Sequence, residues 1–240
     1  MSSGSYIKLT ASGGISVPAF LSKARNPGKA AIVLAQEIFG VNRYIRQLCA
    51  DWGATGFTTL APELYWRFGK HIELDPIDSQ EVVKAREYRS QLKLEESLAD
   101  IETAIAQLRQ NYDQVFLVGY CFGGLLAYLS SIHCCVDGAI SYYGVRIEDY
   151  LDRADNIHSP LLLHIGSEDP VCPPQAQAEI CKVLAGNPLV KLITHIGAGH
   201  AFARRGTPSY NEEAARTANL QSLEFMQRLG AGKKNKRDKS

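Results

Sequence analysis

Residues Ala30–Ala35 read Ala-Ala-Ile-Val-Leu-Ala, six apolar side chains in unbroken succession. A strand with one wet face alternates apolar and polar residues, whereas an unbroken apolar run needs cover on both faces. Such a strand belongs in the middle of a sheet, with helices above and below it.

The rest of the chain supplies the pattern this demands. Tyr6–Leu9 and Ile15–Leu21 read as short strands around a Ser12-Gly13-Gly14 turn. Asn42–Gly53 has helical spacing in Tyr44, Ile45, Leu48 and Trp52, with Asn42 as N-cap. Phe57–Leu60 is a further strand, and Ser79–Asn111 predicts two helices that break near Leu92–Leu94. Then come a strand at Gln114–Val118, a helix at Leu125–Ser131, and strands at Ala139–Tyr142 and Leu161–Ile165. A helix at Gln175–Leu184, a strand at Val190–His195 and a closing helix at Asn211–Leu229 complete the series. Alternating strands and helices imply an α/β fold with a mostly parallel sheet and helices on both faces. At 240 residues the chain suits one such domain, over 1–230, followed by a basic tail over 231–240 that is expected to be disordered.

Twenty-six basic and 25 acidic residues leave a formal charge of +1, which gives no reason to expect a nucleic-acid partner. No apolar run approaches the roughly 20 residues of a membrane span, and Met1–Tyr6 lacks the features of a secretory signal. The expectation is a soluble cytoplasmic protein, a monomer or weak dimer. Its six cysteines, Cys49, Cys121, Cys134, Cys135, Cys172 and Cys181, then read as free thiols. They show no Cys-x-x-Cys spacing, and the adjacent residues of His133-Cys134-Cys135 make a poor chelate, so no metal is expected.

Chemistry concentrates at Gly119-Tyr120-Cys121-Phe122-Gly123. This Gly-x-nucleophile-x-Gly pattern stands directly between a strand and a helix, the context of a nucleophile elbow. Flanking glycines leave room for the sharp turn, and the helix N-terminus would stabilise a thiolate. A cysteine nucleophile needs a base, and the base an orienting acid, in the chain order nucleophile, acid, His. Asp169 lies just past the strand Leu161–Ile165; Glu168 competes, but Asp followed by Pro-Val fits a tight turn before a helix. His200 lies in the small-residue loop Gly197–Phe202, whereas His195 falls within a strand. Glu37, at the carboxyl end of the first buried strand, sits where open α/β sheets bind ligands. The residues alone leave it as either a functional carboxylate or a salt-bridged structural one.

Taken together, these segments resemble the dienelactone hydrolases (carboxymethylenebutenolidases) of the α/β-hydrolase superfamily. The resemblance rests on Gln36-Glu37-Ile38-Phe39-Gly40-Val41-Asn42, Gly119–Gly124, Gly166-Ser167-Glu168-Asp169 and Gly197–Arg204, with Ser141-Tyr142-Tyr143-Gly144-Val145 and Leu74-Asp75-Pro76 in support. It implies hydrolysis of a small ester or lactone through a thioester, with no cofactor. Cys121 would be the nucleophile, His200 the base and Asp169 its orienting acid. Glu37 would pair with the cysteine and help form the thiolate when substrate binds. The oxyanion hole would be the backbone N–H groups of Ile38 and Phe122. Such enzymes hold a substrate carboxylate with two arginines. Arg204 stands at one of these positions, and Tyr143 is placed with it. At the other stands Val82, and Arg86, one helical turn away, is the expected substitute. Two alternatives stay open: a general carboxylesterase or thioesterase with the same triad, and a non-catalytic redox sensor built on Cys121.

Overall fold

A computed structural model describes residues 4–237. The strands are β1 Ser5–Thr10, β2 Ser16–Ser22, β3 Ala30–Ala35, β4 Thr58–Pro62, β5 Gln114–Tyr120, β6 Gly138–Tyr142, β7 Leu161–Gly166 and β8 Val190–His195. They form one sheet in the order β1-β2-β4-β3-β5-β6-β7-β8. The β1–β2 and β2–β4 pairings are antiparallel, and every pairing from β4 through β3 to β8 is parallel.

Side chains alternate across the pleat, so even the wholly apolar strands sort their residues into two cores. Ala31, Val33, Val115 and Leu117 point to one face, against α3 (Leu94–Arg109), α4 (Phe122–His133) and α5 (Pro174–Leu184). Ile32, Leu34, Phe116 and Val118 point to the other, against α1 (Arg43–Ala54) and α6 (Glu212–Arg237). Helix α2 (Ser79–Gln91) is the exception: it buries Ala85 in a small cluster with Phe39 and Leu74.

Local signals explain the boundaries. The Asn42 side chain accepts from the N–H groups of Tyr44 and Ile45 at 3.1 and 3.2 Å, a cap worth about 1 kcal/mol. Its Nδ2 also donates to the Leu74 carbonyl at 2.9 Å, tying the Leu74-Asp75-Pro76 segment to the start of α1. The two middle helices part at Leu92-Lys93, where the backbone becomes extended. Two short 3-10 turns that meet at a kink at Tyr150 occupy Ile147–Asn156, where the sequence carries no helical signal. Helix α6 continues past Leu229 into the segment expected as a disordered tail, and residues 238–240 lie outside the described ones. No helix among the described residues is long and apolar enough to cross a membrane.

The sheet order positions the site. From β3 the chain passes through α1 to β4 on one side, while β5 pairs on the other. Loops leaving β3 and β5 therefore diverge at their carboxyl ends and leave a crevice, the place where such sheets bind ligands.

Candidate active site

Cys121 stands between β5 and α4 with φ 55° and ψ −112°, a backbone conformation that costs a non-glycine residue of order 1–3 kcal/mol. Packing enforces it. A Cβ on Gly119 would overlap the Gly123 carbonyl, and one on Gly123 would overlap the carbonyl of Ala35 at the end of β3. The Cys121 N–H donates to the Tyr142 carbonyl at 3.0 Å, and its own carbonyl accepts from Gly124 at 2.9 Å. Tyr143, Arg146 and Ala201, in loops after β6 and β8, also have positive φ. Strain of this kind clusters at functional sites.

His200 Nδ1 hydrogen-bonds Asp169 Oδ2 at 2.8 Å, and its ring faces the Cys121 sulfur closely enough for the two to interact electrostatically. Asp169 is buried, and its other oxygen accepts from Val171 and Cys172 N–H at 2.8 and 3.3 Å. The tight turn thus fixes one carboxylate oxygen and aims the other at the imidazole. Burial opposes charge on His200, but the facing Cys121 sulfur and the bond to Asp169 outweigh it and push its pKa up to about 10. Cys121, His200 and Asp169 come together at the strand ends, in that order. Glu168 is exposed and His195 is engaged with His164 at 3.0 Å, so neither joins them.

Glu37 lies at the same strand ends, but its partner is Arg204. Nε donates to Oε2 at 2.8 Å and Nη2 to Oε1 at 2.9 Å, in a pair whose side chains are 10% and 3% exposed. Burial opposes the Arg204 charge, and Glu37 more than offsets it, raising the guanidinium pKa. Tyr143 is buried beside this pair, with its ring 5.3 Å from that of His200, edge to face. The Tyr65 hydroxyl donates to the Ile38 carbonyl at 2.9 Å and holds the loop after β3. Neither the Ile38 nor the Phe122 N–H has an acceptor among the described residues. Both belong to turns at the crevice, Phe122 as the first residue of α4, where N–H groups lack helical partners.

Arg86 is not part of this assembly; it is exposed on α2. The arginine of α2 that faces the site is Arg89, whose guanidinium carbon lies 4.1 Å from the centroid of the Phe122 ring. Helical phase explains the difference. At about 100° per residue, a step of seven from Val82 falls about 20° from its direction, while a step of four falls about 40° away on the other side.

The mainly parallel sheet, the strand–turn–helix at Cys121 and the loops that gather at the strand ends define an α/β-hydrolase. A profile of the dienelactone hydrolase family matches residues 17–230, and the chain belongs to that family. It is 35% identical over 211 residues to a carboxymethylenebutenolidase of Pseudomonas sp. (strain P51), covering 87% of each chain. It is 36% identical over 214 residues to one of Pseudomonas putida, covering 87% of this chain and 91% of the relative. Among solved structures it is similar to a candidate dienelactone hydrolase from Klebsiella pneumoniae subsp. pneumoniae MGH 78578. That likeness has a TM-score of 0.81 and 26% identity over 92% of this chain and 97% of the other. The chain is thus a dienelactone hydrolase-like hydrolase.

Proposed function

We propose that this hydrolase opens small esters or lactones through a thioester on Cys121. The observation that carries the reading is the position of His200, hydrogen-bonded to Asp169 and facing a sulfur held at a strained turn. Asp169 orients the ring and supports its positive charge, and the imidazolium faces the thiolate.

The thiolate attacks the substrate carbonyl carbon. The developing oxyanion is received by the N–H groups of Ile38 and Phe122, which the Tyr65 anchor and the α4 N-terminus fix in place. Collapse breaks the bond to the leaving oxygen, which takes the proton from His200. His200 then accepts a proton from water, whose oxygen attacks the thioester. The carbonyl–sulfur bond breaks, and a carboxylic acid product and the thiolate are released. Every proton and electron pair comes from the chain, the substrate or water.

Arg204 is the residue that reads a substrate carboxylate on the His200 side, beside Tyr143. Such a carboxylate exchanges with Glu37, and the released Glu37 helps keep the sulfur deprotonated. Six unpaired cysteines fit a reducing compartment, and we assign the activity to the cytoplasm on that ground.

The test is intact-protein mass spectrometry after mixing with a slowly hydrolysed nitrophenyl ester. An acyl adduct that maps to Cys121 is expected, and it should be absent from Cys121→Ala. If Cys121→Ala turns over like the parent with no adduct in either protein, the reading fails.

A further inference from the structure

We propose that Gln36 is the positioning residue that aims the Ile38 N–H at the oxyanion. The inference rests on the thioester reading above and adds to it a side chain that need not touch the substrate.

Gln36 directly follows β3 and is wholly buried. A buried amide is costly unless both of its ends find partners. Here both do. Its Oε1 accepts from the Leu64 N–H at 3.1 Å, and its Nε2 donates to the Glu37 carbonyl at 3.2 Å. Only this orientation of the amide suits both neighbours, since one is a donor and the other an acceptor.

The second bond bears on the reaction because of where that carbonyl sits. The Glu37 C=O and the Ile38 N–H belong to one peptide unit. Such a unit is planar and trans, so its two polar groups point in opposite directions. Holding the carbonyl therefore sets the direction of the N–H. A donor on the carbonyl oxygen also polarises the unit and makes the N–H a stronger donor in turn.

The second oxyanion donor receives the same support from backbone. The Phe122 N–H shares its peptide unit with the Cys121 carbonyl, which accepts from Gly124 and Leu125 N–H at 2.9 and 3.3 Å. The Glu37 carbonyl lies in a turn beyond β3, outside any helix or strand, and a side chain takes over the task. The anchor of that side chain is firm. Leu64 is wholly buried just past β4, and the preceding Glu63 N–H donates to the Pro18 carbonyl at 2.9 Å. Tyr65, the next residue, holds the Ile38 carbonyl and with it the following peptide unit. Two consecutive residues after β4 thus hold two consecutive peptide units after β3. The loop also abuts the elbow, since a Cβ on Gly123 would lie 2.8 Å from the Gln36 carbonyl oxygen.

The test compares two reactions of Cys121 within one preparation, each followed by mass spectrometry of the Cys121 peptide. Acylation by nitrophenyl acetate passes through an oxyanion. Alkylation by iodoacetamide displaces iodide at a saturated carbon and forms none. The ratio of the two rates reports the oxyanion donors and cancels the reactivity of the thiolate. Gln36→Met keeps the length of the side chain but not the amide, and it should lower the ratio at least about tenfold. An unchanged ratio, including one in which both rates fall together, overturns the proposal and leaves Gln36 a structural residue. A second measurement uses the wild type alone. A trifluoromethyl ketone that adds to Cys121 should move the Gln36 side-chain amide resonance together with that of the Ile38 N–H. A stationary Gln36 resonance overturns the proposal even if the variant does not fold. Failure of the thioester reading has a different signature, namely turnover of nitrophenyl acetate by Cys121→Ala.

Discussion

Arg204 grips Glu37 with two parallel hydrogen bonds across 167 residues of sequence. The forked geometry fixes both side chains at the mouth of the crevice, where neither has much water to fall back on.

Removing one partner strands a buried charge. Glu37→Ala and Arg204→Ala should each lower unfolding stability by about 3 kcal/mol. The double variant should lose clearly less than the sum of the two. Urea denaturation of the four proteins supplies the cycle; additive losses would mean that the pair is not coupled.

Asp169→Asn keeps an oxygen for the Val171 and Cys172 N–H groups but turns an amide donor toward His200. The turn should survive while the imidazole loses its acceptor. We expect a loss of kcat on the order of 10^3-fold or more with near-parental circular dichroism. Retained activity would remove Asp169 from the mechanism.

His200 titrates at about 10 in the folded chain, above the roughly 6.5 of an exposed histidine. The folded state therefore binds this proton more tightly than the unfolded state does. The resulting stabilisation is complete below about pH 6.5 and fades as pH rises through about 10. Cys121→Ala removes the sulfur that favours the charge and should lower the midpoint in an NMR titration of the ring. An unchanged midpoint would show that the sulfur does not support the charge.

His164 has the opposite sign. It is fully buried between His195 and Ser222, both at 3.0 Å, and burial, His195 and Lys191 all hold its pKa well below the ordinary value. The unfolded chain takes up this proton first, so stability is full above about pH 6.5 and falls as the solution is acidified below it. Thermal melts from pH 7 to 5 should show the decline, and His164→Phe should flatten it. An equally steep decline in that variant would assign the acid sensitivity elsewhere.

The fold was legible because its signals are local. Unbroken apolar strands, the Asn42 cap and the break after Gln91 each act within a few residues. The elbow was legible for the same reason: Gly119 and Gly123 are required by backbone contacts at the turn itself. Loop position was enough to separate His200 from His195, and the Pro-Val that follows Asp169 was enough to prefer it to Glu168. Arg89 was harder, because its face depends on accumulated helical phase and its target on a ring at the start of another helix. The engagement of Glu37 with Arg204 lay further out of reach, since nothing local links them. Tyr65 and Tyr150 gave no signal beyond being aromatic.

His200 is borne by the loop that follows β8, the outermost strand of the sheet, paired on one side only to β7. Border strands fray more readily than interior ones. Loosening there withdraws the imidazole while most of the sheet is still intact. On warming or in mild denaturant, turnover should therefore collapse ahead of any optical sign of melting, so that a dead preparation of this hydrolase can still look folded.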